Sequence, residues 1–191
     1  MVKGFFIGFL LRKFFVAASI PLIALLIAVG LDFSTYQVLT DQQKIFSLKI
    51  MQIDENLFDI ELASDEHRKT YAMAGDQWQL DFRLIRFTPA VALTGLSNLY
   101  QPSRLSSRYI DIADQQTRPL NYYSLRDFQK IDSWKYLKQY DSILPFIDAV
   151  FGSSVYMPLE DGAEYEILIG FTGLVVNSLN DNAKTAVHNW H

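Results

Sequence analysis

The sequence lacks cysteine altogether and contains only a few histidines. Without cysteine, a disulfide framework, a thiolate metal site, a thiol nucleophile and a lipid-modified anchor cysteine are all excluded. The histidines are His67, His188 and His191, and the last two lie at the extreme C-terminus. Because a metal site needs several ligands at short spacing on a rigid element, we predict no metal site and no cofactor.

Motifs that mark catalysis are also missing. The chain has no Gly-x-Ser-x-Gly and no glycine-rich phosphate or dinucleotide loop. Its adjacent carboxylates, at 54–55, 65–66 and 160–161, all fall in predicted turns, where solvated residues are favoured over a glycosidase pair. A Ser–His–Asp set is spatial, so a periplasmic hydrolase stays open as a third hypothesis. We predict no enzyme and no catalytic residue.

Charge is absent from one long run near the N-terminus. Residues 14–31 are eighteen positions without a charged side chain, preceded by Arg12 and Lys13 and followed by Asp32. A helix of this length rises roughly 27 Å, close to the hydrocarbon thickness of a bilayer. Eleven of these residues are Leu, Ile, Phe or Val, and together they contribute about −5 kcal/mol of apparent insertion energy. The run therefore predicts a transmembrane helix over 14–31.

The distribution of charge predicts how this helix is oriented. The only charges before the run are Lys3, Arg12 and Lys13, whereas the chain from Asp32 onward has 14 Lys and Arg against 21 Asp and Glu. Since basic residues stay on the cytoplasmic side, we expect residues 1–13 inside and the large domain outside. The predicted location is the bacterial inner membrane, single-pass, with a periplasmic domain. The acidic domain argues against nucleic acid as a partner and leaves the lipid bilayer as the predicted one.

Two other interpretations of the N-terminus stay open. Ala28-Val29-Gly30 has the small-x-small spacing of a signal-peptidase site, but the apolar run exceeds the usual 7–15 residues of a signal peptide, which favours an uncleaved anchor. Residues 4–11 are also apolar but too short to cross a bilayer. They represent either the remnant of an earlier span or an interfacial segment.

Hydrophobic periodicity predicts an α+β domain after the anchor. Apolar and polar residues alternate over 45–50, 58–62, 78–84 and 165–169, and weaker strands are predicted at 68–73, 155–159 and 174–176. The alternation changes phase at Leu84-Ile85, which predicts a β-bulge or a bend there. Helical spacing over 131–140 and 143–151 predicts a short helical pair. We expect mainly antiparallel strands over 45–178, a helical linker over 32–44 and a flexible tail over 179–191.

A candidate binding surface lies around two arginines. Arg104 and Arg108 are four residues apart, so on a strand they share a face and could clamp one anion. Pairing with Asp76, Asp81 or Asp111 is the favoured alternative, because surface ion pairs are common. Aromatic residues nearby are expected to pack in the core or an interface. The predicted surface comprises 75–81 and 104–109, and its candidate binding residues are Asp76, Trp78, Asp81, Arg104, Arg108 and Tyr109.

Four segments in a fixed order resemble a known family. They are GDQWQLD at 75–81, RLSSRY at 104–109, LPFIDAVFGS at 144–153 and PLEDGA at 158–163. Together they resemble small proteobacterial membrane proteins commonly labelled "cation/multidrug efflux pump" or "multidrug transporter". Ser107 stands where that family's pattern has Gly, and the family has a fuller apolar segment ahead of the basic pair. A pump needs several spans and intramembrane coupling groups, so this resemblance implies at most an accessory role.

Two functional hypotheses follow. The first is a membrane-anchored, non-enzymatic envelope protein whose periplasmic domain binds a partner protein or a small ligand. The second is an accessory subunit of an efflux transporter, with the helix docking on a multi-span partner through its small residues, Ala17, Ala18, Ala24, Ala28 and Gly30. Replacing the span with polyleucine is expected to abolish the second function and spare the first.

Overall fold

The protein has an α+β fold of mainly antiparallel strands with a few helices, as the sequence predicts. The computed structural model describes residues 2–40, 42–126 and 132–190, and the side chains at 2–12, 14–16 and 141 lie outside this description. Its helices are α1 (Val2–Phe33), α2 (Pro89–Ala92), α3 (Ile112–Thr117), α4 (Ser133–Tyr140) and α5 (Asp181–His188). Its strands are β1 (Gln37–Val38), β2 (Gln43–Asp54), β3 (Leu57–Ala63), β4 (Arg68–Ala74), β5 (Gln77–Phe87), β6 (Leu99–Arg108), β7 (Tyr122–Ser124), β8 (Ile147–Pro158), β9 (Glu164–Gly170) and β10 (Gly173–Ser178).

The strands form two antiparallel five-stranded sheets. In the first sheet the order is β1-β6-β5-β8, and β7 pairs with β6 farther along the same strand. In the second sheet the order is β10-β9-β2-β3-β4. The turns around 54–55 and 65–66 join neighbouring strands of the second sheet, which confirms these two turn predictions.

The main core lies between the two sheets. Every second residue of β5 points into it, and the side chains of Trp78, Leu80, Phe82 and Leu84 are at most 1% exposed. The facing sheet contributes fully buried residues from β2, β3 and β9: Leu48, Ile50, Ile60, Tyr165, Ile167 and Ile169. Burial of each such large apolar side chain contributes about 1.5–3 kcal/mol, so this layer stabilises the fold strongly.

A second apolar cluster covers the outer face of the first sheet. It contains the buried residues Tyr36, Ile85, Ile147 and Val150, with α4 and the end of α1 packed around them. This cluster explains the change of apolar phase in β5, and the bulge predicted at Leu84-Ile85 is wrong. Pairing runs without interruption there, because Ile85 simply lies on the other covered face. The register shifts instead at 81–82, opposite the Pro102 segment, and at 86–87.

The N-terminal region differs from expectation in its linker. α1 continues through residues 4–11 as one helix and ends at Phe33, where the backbone N–H of Tyr36 donates to the Phe33 carbonyl. A helical linker over 32–44 is therefore wrong, because the chain turns at once and pairs β1 with β6. Among the residues that the structure describes, no helix combines the length and hydropathy of a membrane span.

The predicted helical pair and flexible tail also need correction. α4 confirms the first helix over most of 131–140, although Ile131 lies outside the described residues. The second predicted helix, over 143–151, is instead a 3₁₀ turn (Asp141–Ile143) followed by β8. β5 requires a partner for its backbone, and β8 pairs along its whole length. The predicted flexible tail over 179–191 instead contains α5. This helix packs on the domain through the buried side chains of Ala183 and Ala186.

Candidate functional site

Trp78 and Tyr109 are packing residues. Trp78 is 0% exposed and lies edge-on to Tyr165, with 5.6 Å between ring centroids. Tyr109 is 6% exposed, and the Arg118 guanidinium lies 5.5 Å from its ring. Neither aromatic ring of the predicted surface is therefore accessible enough to form a ligand cage.

Asp81 and Arg104 form an ion pair across β5 and β6. The Arg104 Nη2 atom lies 2.6 Å from Asp81 Oδ2, and Arg104 Nε donates to the same oxygen at 2.8 Å. The other Asp81 oxygen accepts hydrogen bonds from Gln79 Nε2 and Ser154 Oγ, each at 2.7 Å. The carboxylate is therefore fully engaged within the domain, which is the pairing that the sequence favoured over an anion clamp.

Arg108 has a different partner from Arg104. Its guanidinium stacks 4.5 Å from the ring of Tyr156 on β8, and Trp190 contacts that ring edge-on at 5.4 Å. Because each of the two arginines is held by its own neighbour, they do not converge on one anion. They do share the outer face of the first sheet, as their spacing predicts.

Asp76 connects three chain segments at the end of the two sheets farthest from α1. Its carboxylate accepts a hydrogen bond from the Ile110 N–H at 2.8 Å, and its backbone bonds both Arg108 and Leu159. The preceding Gly75 has φ +146°, and a Cβ there would lie 2.8 Å from the Arg108 carbonyl. Gly75 therefore allows the close approach of chains that positions Asp76.

A distal cleft of about 550 Å³ opens beside Asp76. Its polar lining consists of amides, one hydroxyl and carboxylates, from Asn56, Asn182, Asn189, Thr185, Asp76 and Glu160. Its apolar lining comes from Phe58, Ile110, Pro158, Leu159, Ala186 and Trp190. Among the described residues no basic side chain lines this cleft, so it suits neutral or cationic ligands and disfavours anions. Its volume lies in the usual range for a small-molecule site.

The last segment of the chain builds one wall of the distal cleft. Asn180 caps α5: its side-chain oxygen accepts from the Ala183 N–H at 3.0 Å, and its Nδ2 donates to the Gly162 carbonyl at 2.7 Å. Asn182 Nδ2 donates to the Asp161 carbonyl at 3.0 Å. Sequence reasoning missed this wall. The signal for it was Asn180 directly before Asp181, which is a helix N-cap pattern.

A second feature that sequence reasoning missed is a buried ionic junction between α1 and the domain. Asp32 is 1% exposed, and its Oδ2 accepts a hydrogen bond from the Ser133 N–H at 2.8 Å. Its Oδ1 lies 3.9 Å from Arg126 Nη2, within ion-pair range but too long for a hydrogen bond. Asp32 lies in the last turn of α1, where a negative charge is unfavourable, but at the N-terminus of α4, where it is favourable.

Asp132 completes this junction. Arg83 donates to both of its oxygens, at 2.7 and 3.1 Å, and Arg126 Nη1 donates at 3.3 Å. Burial raises the pKa of Asp132, but the hydrogen bonds and charge of Arg83, together with Arg126, outweigh burial and hold that pKa below its ordinary value. Burial, partly opposed by Arg83, raises the pKa of the neighbouring Tyr36 to about 12.

A further cavity of about 670 Å³ lies beside the junction, between β2–β4 and β6. It is lined by groups of both signs, including Lys44, Asp65, Glu66 and Arg126. Gln101, which is 3% exposed, lines it as well, and its Oε1 atom has no hydrogen-bond partner among the described residues. Its mixed charge does not select one ligand class.

The described side chains do not form a catalytic arrangement around histidine. His67 lies in an exposed turn, with Nδ1 4.0 Å from Glu66 Oε2, and His188 ends α5. His191 lies outside the described residues. Across the described part of the chain, no three His, Asp or Glu side chains group as metal ligands.

Comparisons with protein-family models, curated proteins and solved structures give no match to this chain.

Proposed function

We propose that this chain is a single-span, membrane-anchored protein of the bacterial envelope, whose periplasmic domain binds a ligand or partner through the distal cleft. The protein is non-enzymatic in this proposal. The observation that carries it is the distal cleft, because it is a concave site with clustered amide and carboxylate groups.

The anchor proposal is supported by the charge-free run and by exposed side chains. Large apolar side chains of α1 lie open around the helix, including Ile20 at 65%, Leu26 at 62% and Leu31 at 63% exposure. Exposed apolar surface of this extent is expected to be covered, and lipid suits a helix flanked by Arg12 and Lys13.

The chemistry of the distal cleft indicates its ligand class. Amide and carboxylate groups recognise hydroxyl and amine donors, while Trp190 supplies flat apolar surface. A neutral or amine-bearing sugar, or a polar peptide segment, presents this combination. A phosphate or sulfate ester does not, because Asp76 and Glu160 would repel it.

The test uses the full-length protein in detergent micelles and a panel of neutral, amino and sulfated oligosaccharides. We expect binding of neutral or amino sugars, and loss of that binding in Thr185→Arg, which places a long cation in the cleft. Lys184→Arg on the same helix is the matched control, since Lys184 is exposed and pairs with Asp181. Binding only of sulfated sugars, or equal binding by both variants, would contradict this use of the cleft.

A second proposal is the accessory role in an efflux complex that the family resemblance implies. It is favoured by open space at Gly30, where a Cβ would meet nothing within 4 Å, so another helix has room to approach. Full-length protein and a polyleucine-span variant would be purified from gently solubilised membranes, and a variant lacking residues 1–30, which keeps Asp32 and β1, would be purified from the soluble fraction. A multi-span partner bound only by the native span supports this role. A partner retained by all three locates the function in the domain.

A further inference from the structure

An uncharged loop is exposed at the end of the domain that adjoins α1. Residues 88–98 contain no charged side chain. Leu93 in this loop is 91% exposed and Leu96 is 54% exposed. Large aliphatic side chains that stand in solvent without a charged neighbour mark a surface that something else covers.

Hydrogen bonds fix this loop beside the base of α1. The Phe87 N–H donates to Asn98 Oδ1 at 3.0 Å, which closes the loop. The Leu39 N–H donates to the Asn98 carbonyl at 2.7 Å. Because Leu39 follows β1, and β1 begins four residues after the end of α1, the loop and the helix leave the domain at the same end.

A second exposed apolar segment lies next to the first. The Thr88 N–H donates to the Phe146 carbonyl at 3.2 Å, which joins 88–98 to the segment before β8. In that segment Ile143 is 72% exposed and Phe146 is 43% exposed. We call Leu93, Leu96, Ile143 and Phe146 the apolar rim.

We propose that the apolar rim inserts into the interface of the bilayer that α1 crosses, so that the domain lies against the membrane surface. This inference rests on the proposed membrane anchor. Lipid is the occupant that the surroundings favour, because α1 joins the domain without a flexible linker and the rim is therefore held near the point where the helix leaves the bilayer. The chain segment that contains Ile143 and Phe146 also follows directly on α4, which has interfacial residue types, namely exposed Tyr136 and Tyr140 beside Lys138.

The absence of cysteine makes a direct test possible. Single cysteines at Leu93, Ile143, Leu26 and Glu55 would be labelled with an environment-sensitive fluorophore in the full-length chain, reconstituted into phosphatidylcholine vesicles. Quenchers would be lipids brominated at shallow or deep positions. Leu26→Cys reports the anchor, and Glu55→Cys, in the turn after β2 at the distal end, reports a site away from lipid.

We expect blue-shifted emission at Leu93 and Ile143 with stronger quenching by shallow bromines, as for side chains about 5–10 Å into the interface. Leu26 is expected to be quenched more by deep bromines, and Glu55 by neither. Quenching at Leu26 without quenching at the two rim positions would overturn the inference and leave the anchor intact. A blue shift at the rim without lipid quenching would also overturn it, since protein would then cover the rim. Quenching at the rim but not at Leu26 would support the rim and refute the span.

Discussion

Asp32 offers the sharpest test of how α1 is attached to the domain. In Asp32→Ala, the Ser133 N–H loses its acceptor, and among the described residues Arg126 keeps only Asp132 as an anionic partner. A buried hydrogen bond to a charged group contributes about 1.5–3 kcal/mol, and a favourable carboxylate at a helix N-terminus contributes about 0.3–1 kcal/mol. We therefore expect the free energy of unfolding to fall by about 3 kcal/mol. Asp32→Asn retains an acceptor oxygen and is expected to cost about 1 kcal/mol.

The assay is urea unfolding of the full-length protein in micelles, followed by tryptophan fluorescence and by amide exchange at Ser133. Asp114→Ala is the matched control, because Asp114 pairs with Arg118 on the surface, where such pairs contribute about 0.3–0.5 kcal/mol. Faster exchange at Ser133 is expected in Asp32→Ala alone. If both Asp32 variants behave like the control, the junction does not hold the helix and the domain together.

Three further predictions concern the ends of the domain. Gly75→Ala is expected to lower the free energy of unfolding by about 1–3 kcal/mol, because Gly75 has a positive φ and a Cβ there would contact the Arg108 carbonyl closely. In the control Gly152→Ala, the new Cβ would lie 3.7 Å from its nearest neighbour, so the same urea assay is expected to show a smaller loss. Ionised Asp132 stabilises the wild-type fold at pH values above the ordinary pKa of a carboxyl group, and this stabilisation is lost as the pH falls through the lowered pKa of Asp132. Asp132→Asn is expected to lack this stabilisation at every pH, as measurement of the free energy of unfolding against pH for both proteins would show. Ala183→Asp buries a charge at a fully buried site and is expected to cost about 3 kcal/mol or more, unlike Lys184→Asp at an exposed one.

Each of these has a contradicting outcome. Equal unfolding midpoints for the two glycine variants would mean that the chain crossing at Gly75 relaxes freely. Parallel acid-titration curves for wild type and Asp132→Asn would mean that Arg83 does not favour the ionised carboxyl. Equal costs for the two α5 variants would mean that α5 is not packed on the core.

The strands of the second sheet were predictable because one face of each is buried and the other is not. Alternation in β3 and β9 follows this rule directly, and β2 follows it from Leu48 to Ile50. The first part of β8 was wrongly predicted as a helix because it is covered on both sides, by the core and by α4. Ile147 and Val150 then fall at positions that a helical stripe also fits.

The candidate site was only partly predictable for a related reason. Asp76 was predicted from the sequence as a candidate binding residue, and the structure places it in the lining of the distal cleft. The cleft's other wall comes from α5, more than 100 positions along the chain, and local patterns carry no information about such a pairing. Asp32 was noticed only as the end of an apolar run, because its partners Arg126 and Ser133 lie about 100 residues away.

Strand β5 connects the two ends of the domain and fixes the distance between them. Its first residue follows the Gly75-Asp76 crossing at the distal cleft, and its last residue packs beside the apolar rim. Eleven residues at about 3.3 Å each give a span of roughly 35 Å. Under the proposed anchoring of α1 and insertion of the apolar rim, this strand would hold the cleft roughly 35 Å from the lipid. Lipid headgroups would then lie out of its reach, whereas molecules that extend away from the bilayer would meet it.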